Sequence, residues 1–207
     1  MMSMYDLDEK TMFTYLRGRF DGPGFEQSRQ ALVFARRAHG NQKRKNGAPY
    51  IVHPLSMACD AIACKGATDE IIATILLHDV CEDCNIPLSA LPVNEKVRQG
   101  VKYMTMRRFD GEEKAETKRR YFNELLDCKE AIICKAFDRY ANLNDADGAL
   151  DEEAIVKNIR ETHELLLPIL KEAKYEYPEL SDMIHTIRTM LKRTVKMMAR
   201  YHNVDLD

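Results

Sequence analysis

Apolar residues recur at helical spacing along nearly the whole chain, and no stretch alternates with period two for more than a few residues. The pattern predicts an all-α fold. A short helix covers 11–20 and ends at Gly22-Pro23-Gly24, a strong breaker. The next covers 25–39, with Ala31, Phe34, Ala35 and Ala38 at helical spacing and Gly40 as C-cap. A basic loop follows, Lys43-Arg44-Lys45-Asn46-Gly47. Its Asn-Gly turn beside Ile51-Val52 allows a tiny hairpin near 44–52. Pro54 suits the first position of a helix over 54–65 that turns Leu55, Ala58 and Ile62 inward. His53, directly before that proline, is expected to be extended.

Thr68 is a good N-cap for the apolar run Ile71–Leu77, and the helix is expected to continue through residue 83. Further helices are predicted over 94–106, 113–127, 129–146, 151–173 and 179–201. The last turns Ile184, Ile187, Leu191 and Met198 inward and Arg188, Lys192, Lys196 and Arg200 outward. No internal repeat, low-complexity tract or long linker interrupts the series.

Composition narrows the class. The 207 residues carry 31 Lys+Arg against 33 Asp+Glu, a net charge of −2, which argues against nucleic acid held by bulk charge. No apolar run is long enough to span a membrane. The polar, acidic start is not a secretory signal, so a cytoplasmic location is expected. Six cysteines without such a signal are expected to stay reduced. Cys81 and Cys84 form a CxxC. With no second ligand pair and no strand before it, bystander thiols are the better reading.

Against that background, one stretch stands out. Leu76-Leu77-His78-Asp79-Val80-Cys81-Glu82-Asp83 loads four ionisable groups onto an apolar helix. On a continuous helix His78 lies under Glu82 and Asp79 under Asp83. Charges in such a setting are costly unless paired or bound to metal. His53 and Asp138, the latter closing the apolar run Ile132–Phe137, are candidate further ligands. Two histidines and two aspartates without thiolate suit Mn²⁺, Fe²⁺, Mg²⁺ or Zn²⁺. Glu82 and Asp83, one turn beyond, are placed to position a water.

Three stretches carrying these residues resemble the hydrolase domain of the RelA/SpoT alarmone enzymes. They are Ala35–Pro54, ending Tyr50-Ile51-Val52-His53-Pro54, then Leu76–Asp83, then Lys135–Leu143. Their order and spacing match over residues 25–170. A His-Asp pair marks the whole HD phosphohydrolase superfamily, whereas Tyr-Ile-x-His-Pro marks the RelA/SpoT branch. The length is similar to that of stand-alone small alarmone hydrolases.

The resemblance implies an all-α HD-domain helical bundle in three parts: an N-terminal extension with a short helix at 1–24, the hydrolase domain at 25–175, and a C-terminal helix at 176–207 packed on the same domain. It implies Mn²⁺-dependent removal of the 3′-pyrophosphate from ppGpp or pppGpp. It assigns metal ligation to His53, His78, Asp79 and Asp138, and water activation to Glu82 and Asp83. Substrate contacts would come from Arg44, Lys45 and Asn142, with Lys114 and Lys118 in looser correspondence. The implied partner is a small nucleotide, with neither nucleic acid nor membrane, and a homodimer is one oligomeric state left open.

Two departures from the family pattern lie near the nucleotide: Ala141 where members often carry His, and Asn144-Asp145 where Arg commonly follows Asn-Leu. Two other readings therefore stand beside the first. One is an HD hydrolase of another nucleotide (an adenine alarmone, NADPH or a nucleoside phosphate). The other is a non-catalytic nucleotide-binding module.

Overall fold

A computed structural model describes residues 8–145 and 150–206. Residues 1–7 of the N-terminal extension and the predicted helix end at residue 146 lie outside the described residues. Among the described residues eleven α-helices follow one another: α1 (Glu9–Phe20), α2 (Glu26–His39), α3 (Val52–Ile62), α4 (Asp69–Leu77), α5 (Val80–Asp83), α6 (Glu95–Met104), α7 (Lys114–Glu124), α8 (Lys129–Asn144), α9 (Glu152–Glu161), α10 (Leu167–Glu176) and α11 (Ser181–Tyr201). Among the described residues there is no strand. The basic loop closes instead on an isolated antiparallel bridge, Lys43 to Pro49, with the Arg44 N–H donating to the Ala48 carbonyl at 2.8 Å.

α4 is the inner helix. Every residue from Ile71 to Leu77 is buried, and α2, α3, α6 and α8 pack around it. A helix apolar on all sides can only sit inside. α8 is the second inner helix, buried from Glu130 to Cys134 and again from Ala136 to Arg139, with α3, α4, α6 and α11 against it. α1 covers α3 and α2, and α11 closes the far side of α8. His78 directly follows α4, and Asp138 interrupts the buried apolar stretch of α8.

The ends are fixed by caps. Asp8, Thr68, Asn94 and Asp151 each accept a backbone N–H from the first turn of the helix that follows. α2 lacks such a cap of its own. Asp69, at the start of α4, serves it across the fold, accepting from the N–H of Gln27 at 2.8 Å and of Ser28 at 2.7 Å. One residue therefore ties the starts of two neighbouring helices together.

Four sequence expectations need correction. The helix through 71–83 breaks: α4 stops at Leu77, His78 and Asp79 form a turn, and α5 is a separate single turn. His78 Nδ1 lies 2.9 Å from the Ile75 carbonyl, a local bond that competes with the helix ladder. His53 is helical, not extended. α3 starts at Val52, and the His53 N–H takes the Tyr50 carbonyl at 3.0 Å, which Pro54, lacking an N–H, could not use. The helix over 151–173 widens into a π turn at Thr162–Leu166, because Pro168 cannot bond the Glu164 carbonyl and its ring crowds it. Arg188 does not simply point outward: its Nε donates to the Leu167 carbonyl at 3.1 Å.

Candidate metal centre and its approach

His53 from α3, His78 from the turn after α4, and Asp138 from α8 meet in the interior. One donor atom from each lies within 4.8 Å of the others, and all three residues are buried. The tautomer of His78 follows from its neighbours. A backbone carbonyl only accepts, so one ring proton sits on Nδ1, against Ile75, and in the neutral ring Nε2 is the lone pair left to take a cation. That lone pair faces Asp79 Oδ2 at 2.8 Å and Asp138 Oδ1 at 4.0 Å, and no hydrogen bond satisfies it. His53 Nε2 lies 3.3 Å from the same Asp138 oxygen.

A buried lone pair held against two carboxylates is repulsive until a cation lies between them. These donors therefore fit a divalent metal held by nitrogen and oxygen. The same field acts on protons. Burial alone would push the His78 pKa down, but Asp79 and Asp138 outweigh it and push it up. Burial would raise Asp138, yet Lys135 and the two histidines hold its carboxyl well below the usual carboxylate range.

Asp79 stands at the edge of the group, not inside it. Its Oδ2 accepts the Tyr50 hydroxyl at 2.5 Å, beside the 2.8 Å approach to His78. Asp138 is held from both sides: Lys135 Nζ donates to Oδ2 at 2.8 Å and Asn142 Nδ2 to Oδ1 at 2.7 Å. The sequence reading gave no role to Tyr50 or Lys135. A lysine three residues before an acid on one helix was the available signal for the second.

Glu82 and Asp83 extend exposed side chains from α5. The Asp83 N–H still bonds the Asp79 carbonyl at 2.8 Å, so that part of the predicted stacking is present despite the break. Glu82 lines a cleft of about 340 Å³ together with Lys118, Lys135, Arg139, Lys157 and Glu161, four cations against two carboxylates. Lys118 and Arg139 both pair with Glu161. A wider depression of about 780 Å³ on α7, around Glu116 and Arg119, is lined by none of the residues described above.

The candidate substrate contacts divide. Arg44 and Asn142 come together: Arg44 donates from Nη2 to Asn142 Oδ1 at 3.3 Å and from Nη1 to Asp145 Oδ2 at 2.7 Å. Lys45 is exposed on the basic loop. Lys114 is exposed at the start of α7 and does not line the cleft, whereas Lys118, one turn on, does.

Residues 31–203 match the family model described as HD domain. Relatives named guanosine-3′,5′-bis(diphosphate) 3′-pyrophosphohydrolase are similar to most of the chain. The one from Aquifex aeolicus is 29% identical over 195 residues, covering 85% of this chain and 27% of the relative. The one from Vibrio cholerae is 31% identical over 178 residues, covering 82% and 24%. The bifunctional (p)ppGpp synthase/hydrolase SpoT of Escherichia coli is 33% identical over 149 residues, covering 68% and 21%. The matches thus span at most 27% of the length of these relatives.

Proposed function

The chain belongs to the HD-domain family, and from that premise we propose that it is a metal-dependent phosphohydrolase removing the 3′-pyrophosphate of ppGpp or pppGpp. The observation that carries this reading is the bare, buried Nε2 of His78 facing two carboxylates, with His53 alongside. The similarity to pyrophosphohydrolases supports this substrate, and the cationic cleft beside Glu82 suits its phosphates.

In this reading His53, His78, Asp79 and Asp138 hold the metal, for which Mn²⁺ is proposed. When bound, it supplies Lewis acidity, lowering the pKa of a water and polarising a phosphoryl oxygen. The remaining work falls to the chain. Glu82, which lines the cleft, and Asp83 beside it on α5 orient the attacking water and accept its proton. Lys135 keeps Asp138 ionised and turned toward the histidines. Lys118, Lys157 and Arg139 offset the charge of the departing pyrophosphate. Arg44 and Asn142 bind the nucleoside, and Arg44 must exchange part of its pairing with Asp145 to do so. Lys45 is placed to meet substrate phosphate as a point charge.

The test is pyrophosphate release from ppGpp by the purified protein, with and without Mn²⁺, beside the Asp79→Ala variant. Mn²⁺-dependent release by the wild type, falling at least a hundredfold in the variant, is expected. Metal binding at one ion per chain without release would keep the centre and reject this substrate. A panel with adenine alarmones, NADPH and nucleoside phosphates would then follow.

A further inference from the structure

The loop between α2 and α3 touches the site at two points that the roles above leave unused. Tyr50 reaches Asp79. Its hydroxyl donates to Oδ2 at 2.5 Å and is also faced by the Asp83 carboxylate. Gln42 reaches α5: its Nε2 donates to the Asp83 carbonyl at 2.8 Å. Both residues lean on His39, which is buried to 2% exposure at the end of α2. The Tyr50 ring stacks on His39 with centroids 4.7 Å apart and 24° between planes, and His39 Nδ1 meets Gln42 Oε1 at 2.8 Å.

The orientation of this chain of contacts is forced. The Asp83 carbonyl accepts, so the Gln42 amide nitrogen must face it and Oε1 must face His39. His39 then carries its proton on Nδ1. The carbonyls at the end of a helix have no partner inside it, and in a helix of one turn they are most of its backbone acceptors. Gln42 satisfies one of them and so pins the segment that carries Glu82 and Asp83. Asp79, for its part, could rotate away from His78 toward solvent, since a quarter of its side chain is exposed. The Tyr50 hydroxyl holds it in.

We propose that His39, Gln42 and Tyr50 form a brace that positions the two halves of the site separately: Tyr50 sets the metal-facing carboxylate of Asp79, and Gln42 sets the turn bearing the water-activating pair. The proposal rests on the metal-centre reading above. None of the three is a catalytic residue. Each acts through another group, and the two branches carry different consequences. Loss of a hydrogen bond that orients a metal-ligating carboxylate typically weakens metal binding tenfold to a hundredfold. Loosening a turn that carries reacting groups lowers turnover instead, with roughly a hundredfold at stake for a misplacement of about 1 Å.

The experiment compares wild type, Tyr50→Phe and Gln42→Ala. Mn²⁺ affinity is measured by titration calorimetry on metal-free protein, and kcat on ppGpp at saturating Mn²⁺. Amide exchange at residues 80–84 gives a readout free of substrate. Tyr50→Phe keeps the stacking on His39 and is expected to fold as wild type while its Kd for Mn²⁺ rises about tenfold or more. Gln42→Ala is expected to keep the wild-type Kd, lose about tenfold in kcat, and exchange faster at the Asp83 and Cys84 amides. Unchanged Mn²⁺ affinity in Tyr50→Phe overturns the first branch, and unchanged exchange in Gln42→Ala overturns the second. Parallel losses of affinity and turnover in both variants would make the loop a common scaffold and overturn the separation. Failure of the wild type to bind Mn²⁺ rejects the metal centre itself and this proposal with it. Binding without turnover of ppGpp rejects only the substrate, and affinity and exchange still decide the brace.

Discussion

Asp60 and Asp138 are both carboxylates drawn away from water, and their pKa values shift in opposite directions. Asp138 has Lys135 at 2.8 Å and stays ionised. Asp60, on α3, has no cation against it among the described residues, and burial pushes its pKa from 3.8 to about 6. The unfolded chain loses that proton near 3.8, so the folded state binds more protons between about 4 and 6. Stability contributed by this site is therefore present below that window and declines as pH rises through it. Asp60→Asn should melt higher than wild type at pH 7.5, with the difference shrinking toward zero near pH 4. Melting curves by circular dichroism across pH 4 to 8 check this. A difference independent of pH would show that Asp60 is not the titrating group.

At the scale of helices, Gly100 marks a tight contact. A Cβ there would lie 2.6 Å from Thr74 Oγ1 and 2.8 Å from Thr74 Cγ2, with the Glu130 Cβ at 3.1 Å on the other side. α6 thus meets α4 and α8 at a point that has no room for a methyl group. Both branches of Thr74 face it, so turning the threonine does not help. Gly100→Ala gains about 1 kcal/mol of helix propensity. Overpacking costs about 1–3 kcal/mol, and here it should win. The variant is expected to be less stable by up to about 2 kcal/mol in urea unfolding, and adding Thr74→Ala should restore most of the loss. A more stable single variant would show that the inner helices separate easily.

The helices were legible in the sequence because each is one-sided or wholly apolar, and burial follows that pattern directly. Leu55, Ala58 and Ile62 are buried as the spacing predicts, and so are Ile184, Ile187 and Leu191. What escaped was decided by single atoms. Whether 78–83 continues a helix depends on the His78 ring finding the Ile75 carbonyl, and no periodicity encodes that. The Arg44–Asp145 pair joins positions 101 residues apart, so neither partner signals it alone. His53, His78, Asp79 and Asp138 stood out as polar residues in apolar surroundings. Tyr50 did not, because a tyrosine beside a basic loop looks like any other half-buried aromatic.

For the molecule as a whole, the donors at positions 53, 78 and 138 come from three separate elements, one of them the inner helix α8. Such a centre cannot exist until distant parts of the chain have already met. In kinetic terms, a cation held there would be a late guest in folding. It has nothing to bind in the unfolded chain, and little in a transition state where α3, α4 and α8 are still closing. Mn²⁺ should then leave the refolding limb of a chevron where it is and slow the unfolding limb, by about a hundredfold at a hundred times its Kd. Stopped-flow circular dichroism in urea, with metal and with chelator, reads both limbs. Faster refolding with Mn²⁺ would place the meeting of the three elements before the barrier. In the expected case the metal does not teach the chain its fold; it lengthens the life of the fold once made, and a cell short of metal would lose this protein by faster opening rather than by failure to form it.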